Sequence, residues 1–161
     1  MYSNDLLKNI GKVWELPMME KACVQKAIEY VDYSYSPYSN FKVGACVMME
    51  DGSVYGGANE ENASYPLCLC AERVALHHAS MRDRSQHMVA IAITAKHESK
   101  KLIDPAMPCG ACRQVILEYE YRNGNKPIKI LLINDDEDVF MLESIKALLP
   151  HSFKGETLIE K

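Results

Sequence analysis

Apolar residues first recur at helical spacing just after Pro17. Met18, Ala22, Ile28 and Val31 share a broad face, which predicts a helix running to about Tyr33. The next stretch, YSYSPYSN from Tyr33 to Asn40, breaks that period with Pro37 and small polar residues and reads as a loop. Phe41–Met49 is apolar and partly β-branched, Asp51-Gly52 marks a tight turn, and Val54–Ala58 reads as the hairpin partner. A loop over 56–69 leads to a helix that starts at Cys70 and runs to about Met81, with Val74, Ala75 and Ala79 facing inward. Met88–Ala95 (MVAIAITA) is almost continuously apolar, the pattern of a strand covered on both faces.

The polar linker Lys96–Met107 ends at Pro108, and a helix over Ala111–Tyr121 carries Val115, Ile116 and Tyr119 at helical spacing. Strands are expected at Ile128–Ile133 and Val139–Leu142, then a short helical piece over Ser144–Leu149 stopped by Pro150. Residues 1–13 read as a lead-in and 150–161 as a tail. The order predicts a single α/β domain spanning 1–161: a three-layer α/β/α sandwich with a mostly central, five-stranded mixed sheet.

Composition narrows the functional classes. A chain of 161 residues can bury a core without staples. Its net charge of -4 weighs against nucleic acid as the main partner, since such binders carry excess Lys and Arg. No run approaches the ~20 apolar residues of a membrane span, and no signal-like segment opens the chain. The spacing of the six cysteines fits a metal in a reducing compartment better than a disulfide framework, so the expected location is cytoplasmic.

The chemistry concentrates in Cys70-Ala71-Glu72-Arg73 and Pro108-Cys109-Gly110-Ala111-Cys112-Arg113. Cys70, Cys109 and Cys112 supply three thiolates for one zinc ion and leave a fourth position open, as a catalytic rather than a closed structural site requires. Both segments are loop-to-helix junctions, where free N–H groups and the helix dipole stabilise thiolates. Three thiolates weaken the metal as a Lewis acid, and Arg73 or Arg113 donating to the sulfurs would offset part of that. Glu72, at an irregular helix start, can face the reacting water and carry protons. A closed structural site would need a fourth ligand from Cys68, His77 or His78. A thioredoxin-like pair at Cys109 and Cys112 would leave Cys70 and Glu72 without a role.

Cys-x-Glu followed by Pro-Cys-x-x-Cys is also the signature order of zinc deaminases of nucleobases. Over about Tyr30 to Phe153 the sequence resembles the small, homotetrameric cytidine deaminases. The resemblance rests on the block from Tyr35 to Ala45 (YSPYSNFKVGA), that from Asn59 to Pro66 (NEENASYP), and the two cysteine segments. It implies hydrolytic deamination of cytidine, and of 2'-deoxycytidine, as a step of pyrimidine salvage. Zinc is implied as cofactor, held by Cys70, Cys109 and Cys112, with Glu72 as proton shuttle and Arg73 compensating thiolate charge. Asn59 and Glu61 are implied to hold the ribose hydroxyls, Phe41 and Val43 to line the base pocket, and Ala71 to read the pyrimidine through its carbonyl. Phe153 is implied to stack on the base across a subunit interface, which makes the partner a second copy of the chain in a homotetramer with shared sites. The excursion over 98–107 is longer than is usual in the family and is expected near the pocket mouth. Rival readings are deamination of a cytosine-bearing antibiotic or a modified nucleoside, editing of cytosine in RNA or DNA, and a zinc-stabilised interaction module.

Overall fold

The computed structural model of the chain describes residues 7–155 and 158. The parts of the lead-in and tail at 1–6, 156, 157 and 159–161 lie outside the described residues. The elements are β1 (Lys8–Lys12), α1 (Met18–Tyr30), β2 (Phe41–Met49), β3 (Val54–Ala58), α2 (Ala71–Arg82), β4 (Met88–His97), α3 (Gly110–Arg122), β5 (Lys129–Ile133) and β6 (Asp138–Leu142). Short 3-10 turns occur at Val13–Glu15, Val31–Tyr33, Tyr65–Leu67 and Ile145–Ala147.

The strands form one mixed sheet in the order β1-β6-β5-β4-β2-β3. Only β4 and β5 run parallel, joined by the crossover through α3; the other pairs are antiparallel. The sheet has six strands rather than the expected five. The extra one, β1, comes from the lead-in and pairs with β6 at the edge. Its sequence KNIGK has a single large apolar residue and so no alternation to read. Pairing and an ion pair from Lys12 to Asp138 (2.7 Å) hold it there.

Side-chain alternation divides the interior into two cores. Ala45, Val47, Ile91, Ile93, Ile130 and Leu132 point to one face, where α2 and α3 cover them. Their sequence neighbours Cys46, Met48, Ala90, Ala92, Leu131 and Ile133 point to the other, where α1 lies with Cys23, Val24 and Ala27. This is why the central strands read as continuous apolar runs. Gly57 in β3 lets α2 approach closely: a Cβ there would sit 2.4 Å from the Ala75 nitrogen and 2.8 Å from the Ala71 oxygen. Gly44 does the same for α1, with the Ala27 oxygen 2.1 Å from the position of a Cβ. α2 and α3 thus share one face of the sheet, and their N-termini meet.

Candidate active site

Cys70 and Cys109 occupy the N-cap positions of α2 and α3, both with extended backbone, and Cys112 lies in the first turn of α3. The Cys70 and Cys109 sulfurs are 3.8 Å apart, those of Cys109 and Cys112 are 3.5 Å apart, and all three lie within 4.8 Å of one another. Tetrahedral zinc with Zn–S of about 2.3 Å needs sulfurs roughly 3.8 Å apart. The donor set therefore fits zinc in both chemistry and spacing.

Neither Cys68 nor a histidine joins the cluster among the described residues. The Cys68 sulfur accepts from the Asn62 N–H (3.2 Å), His77 meets the Tyr119 hydroxyl, and His78 meets the Gly56 carbonyl. The closed four-ligand site has no fourth ligand here.

The Cys70 thiol is pulled down to about 5, chiefly by the hydrogen bond from the Cys112 thiol, with Arg73 and Cys109 adding to it. Cys112, serving as that donor and being buried, is pushed the opposite way. Arg73 Nη2 donates to the Cys68 carbonyl (3.1 Å) and approaches the Cys70 sulfur at 3.9 Å. Its Nε is buried with no hydrogen-bond partner among the described residues. The Arg113 guanidinium instead donates to the carbonyls of Pro108 and Leu148.

Glu72 is buried, only 5% exposed, at the start of α2. Burial pushes its carboxyl above the usual carboxylate range, and the charge on Cys70 pushes the same way. A carboxyl so placed holds a proton more readily than a solvated one, as a proton carrier must.

Glu72, Cys70 and Cys109 line a largely apolar cavity of about 360 Å³. Phe41, Val43, Asn59, Glu61 and Ala71, singled out from the sequence, line the same cavity. Glu61 Oε2 accepts from the Tyr38 N–H (2.8 Å) and the Ser39 N–H (3.3 Å). The Ser39 side chain, then these N–H groups, holds the Glu61 carboxyl below its ordinary range. Asn59 Oδ1 accepts from Ser34 Oγ (2.5 Å) and the Val43 N–H (2.7 Å), and Nδ2 donates to the Phe41 carbonyl (2.9 Å). Phe153 is not part of this wall: it is 62% exposed, and its carbonyl accepts from Gln114 Nε2 (2.9 Å).

Ser39, Glu60 and Cys68 also line the cavity, as do Leu69, Ile93, Ala106 and Met107, which sequence reasoning did not single out. Ala106 and Met107 end the long excursion. Upstream, the Leu102 N–H donates to Asp135 Oδ2 (2.6 Å), and Asn134 Nδ2 donates to the Ile103 carbonyl (2.7 Å), pinning it to the β5–β6 turn. The residue just before Pro108 was the one signal in the chain for Met107, because it must lie beside Cys109.

The family model described as the cytidine and deoxycytidylate deaminase zinc-binding region matches residues 18–124. The chain belongs to that family. Among its relatives, a cytidine deaminase of Halalkalibacterium halodurans is 41% identical over 141 residues, covering 88% of this chain and 98% of that one. A cytidine deaminase of Sporosarcina psychrophila is 39% identical over 127 residues, covering 79% and 85%. The crystal structure of the Burkholderia pseudomallei cytidine deaminase shares the fold with a TM-score of 0.69 at 40% identity, covering 82% of this chain and 97% of that one. The matched segment, described as zinc-binding, contains both cysteine motifs and with them the three sulfurs that fit zinc.

Proposed function

We propose that this family member is a zinc-dependent cytidine deaminase, hydrolysing cytidine and 2'-deoxycytidine to the uridine product and ammonia. One observation carries the reading: Glu72 and two members of a three-sulfur cluster, Cys70 and Cys109, line one cavity with a sugar-type pair, Asn59 and Glu61. Zinc held by Cys70, Cys109 and Cys112 supplies Lewis acidity that makes water reactive near neutral pH. Glu72 would take the first proton that the water loses and deliver it to ring N3, then take the second, from the hydroxyl added at C4, and deliver it to the amine, which leaves as ammonia. Phe41 and Val43 flank the base, and the Ala71 carbonyl reads its edge. At the sugar end, backbone N–H groups hold Glu61 Oε2 and so fix the carboxylate that would accept from a hydroxyl. Asn59 has one N–H left to donate, its oxygen being filled already. Arg73 beside Cys70 offsets thiolate charge.

Among the described residues the cavity lining has no Lys, Arg or His to neutralise a phosphate, which favours the nucleoside over the 5'-monophosphate. The net charge of -4 gives polymers no electrostatic attraction.

Tyr33, Tyr35, Tyr38, Tyr65, Leu67 and Phe153 are large and exposed. Such a surface supports self-association, and we assign the chain a homotetramer in which Phe153 of one copy closes the cavity of another. Among the described residues no helix is long and apolar enough to cross a membrane. Free cysteines throughout support a cytoplasmic location.

The test compares wild type with Glu72→Gln. Wild type should carry about one zinc per chain and deaminate cytidine far faster than its 5'-phosphate. The variant should keep its zinc and lose roughly 10²–10⁴-fold in kcat. A zinc-loaded wild type without turnover of cytidine or deoxycytidine sinks the reading, and sizing of the native protein tests the tetramer.

A further inference from the structure

Arg113 follows the ligand Cys112 directly, yet its guanidinium turns from the sulfurs to two carbonyls. Nε donates to the Pro108 carbonyl (2.8 Å), and Nη1 donates to the Leu148 carbonyl (3.1 Å). Pro108 is buried and precedes Cys109, so the first carbonyl lies one peptide from a ligand. Leu148 caps the 3-10 turn Ile145–Ala147 in the C-terminal segment. One rigid, planar side chain therefore joins the ligand loop to a segment far along the chain.

The same helix fastens that segment at two more points. Glu120, fully buried, accepts from Ser144 Oγ (2.8 Å) and from the Ile145 N–H (3.2 Å). Gln114 Nε2 donates to the Phe153 carbonyl (2.9 Å). The segment thus lies along α3, and Arg113 is the anchor that continues on to the loop before Cys109. Without it the buried Pro108 carbonyl loses the partner the structure gives it, which favours rearrangement of that peptide.

We propose that Arg113 is a positioning residue that straps the Pro108–Cys109 peptide to the docked C-terminal segment and so fixes the Cys109 sulfur. The proposal rests on Cys109 being a zinc ligand. It assigns Arg113 a job different from that of Arg73, which meets a sulfur. A guanidinium suits the job because its fork presents fixed N–H groups in two directions; a lysine ammonium is a single mobile donor point. Arg113 does not line the cavity, so its effect should fall on the metal centre and not on substrate affinity.

The experiment uses the zinc-loaded full chain and its R113Q and R113K variants. It measures zinc release to excess chelator, kcat and KM for cytidine, and amide exchange over 145–155. Both variants should release zinc about 10-fold faster or more, the scale of losses when a group supporting a metal ligand is removed. kcat should fall in parallel, with KM within about twofold of wild type, and exchange over 145–155 should quicken. R113K behaving as wild type would mean that charge alone matters, and it overturns the proposal; so does unaltered release from R113Q. If R113Q does not fold, R113K decides alone. A wild type that binds no zinc refutes the zinc reading instead, and amide exchange then decides whether Arg113 holds the segment: unchanged exchange in R113K rejects that too.

Discussion

Asn59 pairs with Val43 twice. Its backbone N–H donates to the Val43 carbonyl (3.1 Å), and its side-chain Oδ1 accepts from the Val43 N–H (2.7 Å). With Nδ2 on the Phe41 carbonyl, Asn59 extends the β3 side of the hairpin beyond its last strand residue, Ala58. Phe41 and Val43, which line the cavity and are proposed to flank the base, hang on this clip. The residue assigned to the sugar also holds the wall for the base.

Asn59→Ala should therefore cost more than a sugar contact. Losing the side-chain bonds, with the backbone pair kept, while Val43 N–H stays partly buried should lower stability by about 1–3 kcal/mol. KM for cytidine should rise as the wall at Phe41 and Val43 loosens, with zinc content unchanged. Denaturant unfolding and steady-state kinetics check both; wild-type stability with only KM raised would reduce Asn59 to a ligand contact.

Gly57 and Gly44 make a matched pair of probes. A methyl at Gly57 would run into the backbone of Ala71 and Ala75, displacing the first turns of α2 that present Cys70 and Glu72. A methyl at Gly44 would run into Ala27 on the opposite face, away from the sulfurs. Overpacking of this kind costs about 1–3 kcal/mol, or more where backbone must move. Both Gly→Ala variants should melt earlier, but only Gly57→Ala should lower kcat per folded, zinc-loaded chain. Equal kcat losses would show that the site does not depend on the seat of α2.

The contrast between legible and illegible parts has physical causes. The three-cysteine cluster was readable because each motif is local, with cysteines at fixed offsets from a helix start. The central strands were readable because both faces are buried, so the apolar run survives without context. β1 was not, since KNIGK owes its state to β6 and not to its own pattern. Arg73 and Arg113 look equivalent as letters beside cysteines. Arg73 lies three residues after the N-cap Cys70 and meets its sulfur, whereas Arg113 lies four after Cys109 and is turned toward Leu148. Leu69, Ile93 and Met107 line the cavity only because three separate segments converge, which no local signal encodes.

Cys68 and Cys70 are separated by one residue but differ in task. The Cys68 sulfur is engaged by the Asn62 backbone, whereas Cys70 belongs to the sulfur cluster. Cys68→Ser should retain about one zinc per chain and most activity, because a hydroxyl can keep the contact to the Asn62 N–H. Cys70→Ser should lose both. In wild type, a strong chelator should abolish turnover, and added zinc should restore it. Loss of zinc from the Cys68 variant, measured by metal analysis, would bring back the four-ligand reading.

The edge strand β1 carries its own reporter. Lys12 donates to Asp138 (2.7 Å) and stands 5.9 Å from the ring centroid of Trp14, the sole tryptophan of the chain. The hydrogen bond from Lys12, then that from Asn134, holds the Asp138 carboxyl below its ordinary range. An unfolded aspartate titrates near pH 3.9. A depressed folded value means that the contribution to stability is complete above about pH 4 and is lost as pH falls through the lower folded value. Trp14 emission should thus stay constant from pH 7 to about 4 and shift below that. Asp138→Asn removes the ionisable partner, so its emission should already be shifted at pH 7 and should lack this transition. Identical titration curves for the two proteins would show that β1 is held by its backbone pairing alone, with the Lys12–Asp138 bridge contributing nothing measurable.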